Sequence, residues 1–389
     1  SSLIGLVWNG MMSFGGGWFF LAASEAISVL NRNYTLPGLG SYVAAAIAAK
    51  DLHALFWAIV TMVILILAID QFFWRPLVTL SDTYKLELSA GVPARFWVVD
   101  LWRASRLPSF VLAKLAPLNR SVDRLLSRAT PFKTETITAP GATKGDRLYD
   151  VLLVLATACL IVAAVRFVLN EVSVREVGRA ALLGLATGAR VIFLIVAGTL
   201  VWTPVGVAIG FSPRLSRISQ PLIQVLASFP ANFLFPFATL LFIRLGVSLN
   251  WGSILLMALG AQWYLLFNII GGAQSIPNDL REMAASIGLS KGRAWRVLIG
   301  PGIFASWVTG AITASGGAWN ASIVSELVSW GNTTMAAHGL GAYISEATSK
   351  GDWPRIVLGV GLMSLFVVAL NRFVWRRFYA LAESKYRFG

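Results

Sequence analysis

Long apolar segments dominate this chain, and they limit how it can fold more than any other feature. The hydrocarbon core of a bilayer takes about 20 helical residues to cross, and backbone groups in lipid must find hydrogen bonds within the protein. The sequence therefore predicts an all-α, polytopic membrane helical bundle with about eight transmembrane helices. The apolar segments are residues 3–29, 53–75, 149–169, 186–210, 222–245, 251–273, 302–329 and 354–376.

Composition and charge agree with a membrane location. Of the 389 residues, 57% are hydrophobic and 13% are charged, whereas soluble domains carry roughly 25% charged residues. The formal net charge is +14, but the basic residues lie mainly in loops beside apolar segments, where the positive-inside rule accounts for them. We therefore expect a multi-pass protein of the bacterial inner membrane that binds no nucleic acid, with the basic C-terminus after Arg372 in the cytoplasm.

A polar and basic stretch from Arg281 to Pro301 lies between two apolar segments. It predicts a small helix across the cytoplasmic end of the bundle, with small faces at Ala284 and Ala285 that fit a groove in a partner. Gly288 allows the turn after that helix, and Pro301 suits the first turn of the next one. The alternative is an ordinary basic cytoplasmic loop.

The sequence repeats itself at a constant offset over roughly sixty residues. This regularity predicts a duplicated domain, of which residues 1–80 form the C-terminal part of a first copy. Residues 148–389 form a complete second copy, and we expect Ser1 to follow directly after a first copy of the 281–301 motif. At an offset of 301 positions, Ser24-Glu25 matches Ser325-Glu326, Gly38-Leu39-Gly40 matches Gly339-Leu340-Gly341, Asp51 matches Asp352, and Phe72-x-Trp74 matches Phe373-x-Trp375.

Residues 81–147 are predicted to link the two copies. Between Lys85 and Arg147 the sequence contains eleven Lys and Arg but five Asp and Glu. Aromatic and aliphatic residues alternate with the basic ones over 94–128, which favours amphipathic helices on the inner leaflet of the lipid bilayer. A basic linker with no specific contact is the alternative.

Several motifs of the C-terminal half carry a family resemblance. They are Gly188-Ala-Arg190-Val, Gln220-Pro-Leu-Ile-Gln224, Ser228-Phe-Pro230, Gly339-Leu-Gly-Ala-Tyr343 and the stretch from Arg281 to Pro301. In these motifs the chain resembles the binding-protein-dependent ABC permeases of the nitrate, sulfonate/taurine and bicarbonate class, in the fused form with both halves on one chain. It departs from that pattern at Met283 and Gly300, where Ala and Leu are usual.

The resemblance implies a type I ABC importer permease fold and a small anion or sulfonate as the transported solute. It also implies two ABC ATPase subunits on the cytoplasmic side and an extracytoplasmic substrate-binding protein as partners. The sequence holds no GxxxxGK[ST] phosphate loop, so ATP hydrolysis is assigned to a separate chain.

The resemblance also assigns the Arg281–Pro301 stretch to contact with the ATPase subunits. Glu282 is the expected docking residue, and its alternative role is a favourable charge at a helix N-terminus. The predicted coupling residues are Glu282, Met283, Ala284, Ala285, Gly288 and Pro301.

Polar residues inside the apolar segments mark a candidate translocation path, because such groups are costly to leave in lipid. Amide and indole N–H groups can hold a small oxyanion without a buried charge, although helix–helix packing explains the same residues equally well. The candidates are Trp18, Asn232, Gln262, Tyr264, Asn268, Trp319 and Asn320.

Charged residues near the outer ends of the segments have other predicted roles. Glu25 and Glu326 are placed near the outer face, where they contact the binding protein or cap the segment that follows. Arg166, Arg190 and Arg244 are expected to extend their side chains to the membrane interface, and the alternative is that they attract anions.

Two other functions stay open as alternatives. A secondary transporter or channel would need ionisable groups facing a cavity, and the apolar segments are nearly free of them. A membrane-embedded enzyme would need clustered His, Cys or acidic residues, but Cys159 is the only cysteine, and His53 and His338 are the only histidines. No metal site, disulfide or cofactor is therefore predicted.

Overall fold

The structure, a computed structural model, describes residues 10, 14, 16–29, 32–74, 76–77, 144–331 and 333–385. The chain divides into two compact units, one within residues 1–11 and 67–166 and the other within residues 12–66 and 167–389. Residues 81–143, which hold most of the predicted linker and its amphipathic helices, lie outside the described residues.

Helices make up nearly all of the described chain. The N-terminal part contains α1 (16–24), β1 (Ala26–Val29), β2 (Arg32–Thr35), α2 (Leu39–Ala49), α3 (Leu52–Ile69) and a π-helical turn, π1 (Asp70–Trp74). After the gap follow α4 (Lys144–Glu171), α5 (Val174–Gly210), α6 (Pro213–Ser228), a 3-10 turn (Ala231–Leu234), α7 (Phe235–Leu245), α8 (Leu249–Gln274), α9 (Asn278–Ser286), α10 (Lys291–Ala294) and π2 (Trp295–Ile299). The C-terminal part contains α11 (Gly300–Ser325), β3 (Leu327–Trp330), β4 (Thr333–Ala336), α12 (Leu340–Lys350), α13 (Trp353–Leu370), π3 (Asn371–Trp375) and α14 (Arg376–Lys385).

The predicted helical membrane bundle is confirmed, but the count of eight spans is not. Within the described ranges, six helical stretches are long and apolar enough to cross a membrane, and seven if α6 and α7 count as one bent span. The predicted segments 3–29 and 302–329 extend too far, because the chain leaves the helix for β1 after residue 24 and for β3 after Ser325. When apolar residues follow one another without a period, the sequence does not show where a helix ends and a short strand begins.

The α6–α7 pair bends sharply where two prolines lie close together. The two helices meet at 81°, and Pro230 and Pro236 flank the 3-10 turn that joins them. Proline has no N–H and cannot extend the helical hydrogen-bond ladder. The bend lies between these two prolines.

The internal repeat is present in the secondary structure. Hairpin β1–β2 pairs Ala26 with Thr35, and hairpin β3–β4 pairs Leu327 with Ala336, each 301 positions later. Helices α2 and α3 recur at the same offset as α12 and α13, and π1 recurs as π3. The same local sequence therefore folds the same way twice.

The repeated elements also pack reciprocally. Helix α2 contacts strand β3, and helix α12 contacts strand β1. Each copy thus contacts the hairpin of the other through the same helix. Trp330 of the second copy is buried in the core that contains Ala22 and Val43 of the first.

Helices α8 and α11 form the centre of the second copy, and α5 packs on both. Small residues bring their backbones close together. Ala261, Ala311, Ala314 and Ala318 are fully buried, and a Cβ on Gly310 would lie 2.9 Å from the Cβ of Asn268. Small residues at helix crossings are typical of membrane bundles.

Candidate functional site

Four of the six predicted coupling residues, Glu282 to Ala285, lie in a short exposed helix, α9, none of whose residues is buried. The chain leaves this helix at Gly288, which has φ +67, and its N–H donates to the carbonyl oxygen of Ala285 at 3.0 Å. Glycine adopts this left-handed backbone without steric cost. The predicted turn at Gly288 is therefore observed, and Pro301 lies in the first turn of α11 as expected.

One arginine holds α9 against the end of the bundle. The Arg281 guanidinium lies 3.9 Å above the centre of the Phe211 ring and donates to the Phe211 carbonyl oxygen at 3.4 Å and to Asn278 Oδ1 at 3.1 Å. Phe211 follows α5 directly, so a displacement of α9 acts on a membrane-spanning helix. Cation–π contact of this kind contributes about 0.5–1 kcal/mol at exposed sites.

The outer face of α9 carries an apolar patch beside its one glutamate. Glu282 is exposed, and the side chains of Met283 and Ile287 are 56% and 65% exposed. Met283 and Ile287, the residue that follows α9, are four positions apart and share a face, and Glu282 directly precedes Met283 in the chain. An exposed apolar pair next to a charge is the pattern of a protein contact surface.

The departure from the family pattern at Gly300 has a local cause. Residues Trp295–Ile299 form the π-helical turn before α11, and a Cβ on Gly300 would lie 2.8 Å from the carbonyl oxygen of Trp295. The wider π turn brings that carbonyl close, so only glycine fits without displacement.

The candidate path residues do not converge on one cavity. Asn232 lines a cavity of about 240 Å³ together with residues of both copies, and its Oδ1 is buried without a hydrogen-bond partner. Tyr264 lines a separate cavity of about 40 Å³ with Gly16 and Gly317. Gln262 accepts a hydrogen bond from Trp202 Nε1 at 3.2 Å beside a third cavity of about 340 Å³.

The remaining path candidates have different surroundings. Trp319 is buried and stacks on Phe366 with ring centroids 6.1 Å apart, and Asn268 donates to the Tyr264 carbonyl oxygen of its own helix at 2.8 Å. Trp18 makes an edge contact with Phe14. Asn320 is exposed.

Helix α11 also presents two threonines that the sequence-based prediction missed. Thr309 and Thr313 are exposed, as is the predicted Asn320, and their spacing places all three on one face of the helix. Both threonine hydroxyls donate to the carbonyl oxygen four residues earlier. A period near 3.6 among polar residues of the apolar segment would have identified this face.

A buried ion pair joins α5 to the end of α11. Arg190 Nη1 lies 2.7 Å from Glu326 Oε1, and the Glu326 side chain has no exposed surface. Thr187 donates to the same carboxylate at 2.8 Å, and the Gly341 N–H donates at 2.8 Å. Multiple donors of this kind are what a buried carboxylate requires.

Arg190 extends the cluster to two further elements. Its Nε and Nη2 donate to the backbone oxygen and the side-chain oxygen of Asn250, both at 3.0 Å, and Nη2 reaches the His338 carbonyl oxygen at 3.1 Å. One guanidinium therefore connects α5, the start of α8, the end of α11 and the loop before α12.

This cluster corrects two sequence-based interpretations. Arg190 does not extend to the membrane interface but is 8% exposed, and the apolar segments do hold an ionisable pair. Of the two roles expected for Glu326, its contacts with Gly341 and Ala342 are those of a helix cap, and full burial leaves its side chain no surface for a partner. The sequence showed an Arg and a Glu within apolar segments, where a charge is costly without a partner, but it did not indicate that these two residues pair with each other.

Comparison with known proteins places this architecture among transport proteins. Residues 201–388 match the family described as binding-protein-dependent transport system inner membrane component. The taurine transport system permease protein of Escherichia coli is 26% identical over 186 residues, which are 48% of this chain and 64% of that protein. The nitrate import permease protein of Synechococcus elongatus is 27% identical over 173 residues, 44% of this chain and 58% of that protein.

A bicarbonate transport system permease protein of Synechococcus elongatus is 26% identical over 170 residues, 44% of this chain and 58% of that protein. The matches thus cover less than two thirds of the length of each of these relatives. The family match runs from the middle of α5 through α14 and contains α9, the bent α6–α7 pair and the Glu326 end of the buried ion pair. Residues 201–388, just under half of the chain, are thus similar to the binding-protein-dependent transport system inner membrane component family.

Proposed function

We propose that this chain moves a small anion or a sulfonate-type solute inward across the membrane, driven by ATP hydrolysis on separate subunits that dock on α9. The observation that carries the proposal is α9 itself. It is an exposed helix beyond the spanning segments, fixed to the bundle through Arg281 and open on the face of Glu282 and Met283.

The tether of α9 explains how a docked subunit would act on the bundle. A subunit that moves α9 also moves Phe211, because Arg281 is bound to its ring and its carbonyl oxygen. Phe211 ends α5, and α5 packs on α8 and α11. Packed helices tilt as bodies and switch between discrete arrangements, which suits alternating access.

The polar groups of the bundle suit a solute that accepts hydrogen bonds. Asn232 lies at the α6–α7 bend beside a cavity lined from both copies, and Asn320 lies on the exposed polar face of α11 with Thr309 and Thr313. Amides and hydroxyls can donate to an oxyanion without the desolvation of a buried charge.

The substrate class rests on the names of the relatives. These proteins are named for taurine, nitrate and bicarbonate, which are a sulfonate and two small oxyanions. These three solutes each carry a compact group of oxygen atoms that accept hydrogen bonds. We propose that the solute of this chain has the same feature.

Reconstitution tests the proposal. The full-length permease is placed in proteoliposomes with its ATPase subunits inside and the binding protein outside, and uptake of labelled nitrate, bicarbonate and taurine is measured. We expect uptake of at least one of the three, dependent on ATP and on the binding protein. Uptake that proceeds without ATP, driven by an ion gradient, would contradict the proposal and favour a secondary transporter.

A further inference from the structure

The first copy contains a carboxylate held in the same way as Glu326. The Gly40 N–H donates to Glu25 Oε2 at 2.5 Å, as the Gly341 N–H donates to Glu326 Oε2. A Cβ on Gly38 would lie 2.2 Å from the carboxyl carbon of Glu25, and one on Gly339 would lie 2.1 Å from Glu326 Oε2. The Gly-Leu-Gly motif thus forms a close-fitting cradle for a carboxylate in both copies.

The two cradles differ in what completes them. Glu326 also receives the Thr187 hydroxyl and the Arg190 guanidinium of α5. The carboxylate of Glu25 is half-buried, and among the described residues the Gly40 N–H is its one hydrogen-bond donor. A carboxylate near lipid needs a positive partner or several donors to stay ionised.

The surface around Glu25 is also more open than its counterpart. Tyr42 is 48% exposed, whereas the hydroxyl of its counterpart Tyr343 is buried in the structure beside Glu176 of α5. Leu39 is half-buried, but Leu340 has no exposed surface. Helix α5 therefore covers one face of α12, and the corresponding face of α2 is exposed.

The sequence contains no second pair with the order and spacing of Thr187 and Arg190. A Thr followed three positions later by an Arg occurs once in the 389 residues, at Thr187 and Arg190, and that pair already binds Glu326. On a helix this spacing places both donors on one face, which allows them to reach a single carboxylate.

We propose that Glu25 is completed by a membrane helix from outside these 389 residues, which carries Thr and Arg three positions apart and covers α1 and the start of α2. This helix binds the first copy as α5 binds the second: the arginine pairs with Glu25, and the threonine hydroxyl bonds to the carboxylate and to the Leu39 N–H. The assignment rests on the cradle and on the exposed face, independently of which solute is transported.

Site-directed photo-cross-linking tests this proposal in the protein's native membrane. The photoreactive residue p-benzoylphenylalanine replaces Tyr42, and the cross-linked peptide is sequenced by mass spectrometry. We expect an apolar segment with Thr and Arg three positions apart. The matched control places the same residue at Tyr343, which should cross-link to the start of α5 near Glu176.

The cross-linked product also reveals where the helix comes from. An unchanged chain mass indicates a segment of the same polypeptide, and an increased mass indicates a separate chain. Attachment to lipid alone, or to a segment without that arginine, would overturn the proposal provided that the Tyr343 control succeeds. A charge exchange gives a second readout: Glu25→Arg should reduce the cross-linking yield at least several-fold, and replacing the partner arginine with glutamate should restore it.

Discussion

At the scale of single residues, Arg190 and Glu326 depend on each other because both charges are largely shielded from water. The Glu326 side chain has no exposed surface and that of Arg190 has 10%. In an apolar interior the desolvation of two charges nearly cancels their attraction, so the pair adds little net stability. Removing one partner is different, because the remaining charge stays buried alone.

We therefore expect Glu326→Gln to lower the free energy of unfolding by roughly 3–5 kcal/mol. Denaturant titration of the purified permease in mild detergent measures this change. The matched control is Glu346→Gln, which breaks the exposed pair with Lys350 and should cost less than about 1 kcal/mol. Equal effects of the two substitutions would show that the buried pair is not a special stability determinant.

Asn320 provides the second prediction at this scale. Its side chain is exposed on the polar face of α11, so Asn320→Leu should leave the packing intact but remove an amide from the proposed path. We expect uptake to fall at least several-fold while binding of the ATPase subunits is unchanged. Asn320→Gln keeps an amide and should retain most of the uptake. If Asn320→Leu transports like the wild type, the residue has no role in the path.

At the scale of elements, the π turn before α11 depends on the absence of a side chain at Gly300. A Cβ there would meet the Trp295 carbonyl oxygen at 2.8 Å, so Gly300→Ala must displace the backbone. We expect a loss of roughly 1–3 kcal/mol in the free energy of unfolding, measured by the same titration. Gly292 lies in α10, three residues before the π turn begins, and no atom lies within 4 Å of an added Cβ there.

Gly292→Ala is thus the control, and it should be neutral or slightly stabilising because it restricts the unfolded chain. A comparable loss in both variants would mean that glycine is needed in α10 and π2 for a reason other than the carbonyl contact.

Helix α9 gives the prediction that bears most directly on coupling. Glu282 is exposed and α9 has no buried residue, so Glu282→Arg should fold normally but reverse the charge that faces a docked subunit. We expect uptake per ATP hydrolysed to fall at least several-fold. Thermal unfolding in detergent should be unchanged. The outcome that contradicts a docking role is unchanged coupling in both uptake and ATPase assays.

At the scale of the whole molecule, the parts that the sequence predicted are those that local patterns determine. The repeat at 301 positions predicted a duplicated domain, and the helices and hairpins recur at that offset because a segment such as Gly38–Tyr42 folds by its own turn and cap preferences and does so again at Gly339–Tyr343. The bend at Pro230 and the turn at Gly288 follow from single residues with unusual backbones.

Features that depend on distant parts of the chain were not predicted. Arg190 and Glu326 are 136 positions apart, and nothing in either segment specifies the other. The scatter of Asn232, Tyr264 and Gln262 over three cavities likewise depends on how α6, α7 and α8 pack. Apolar periodicity shows which residues lie in the membrane, but the facing partner is chosen by tertiary contacts.

The orientation of the molecule provides the last prediction, because ATP-driven import requires α9 to lie on the cytoplasmic side. Basic loops predict this side for α9 and the opposite side for α12. Cys159 is the one cysteine of the chain, so a Cys159→Ser background allows a single thiol at Glu282 or at Glu346, both of which are exposed. A membrane-impermeant maleimide added to intact spheroplasts should label Glu346→Cys and spare Glu282→Cys, and the pattern should reverse in inside-out vesicles. Labelling of Glu282→Cys in intact spheroplasts would place α9 on the side away from the ATPase subunits, and no cytoplasmic subunit could then drive this bundle through α9.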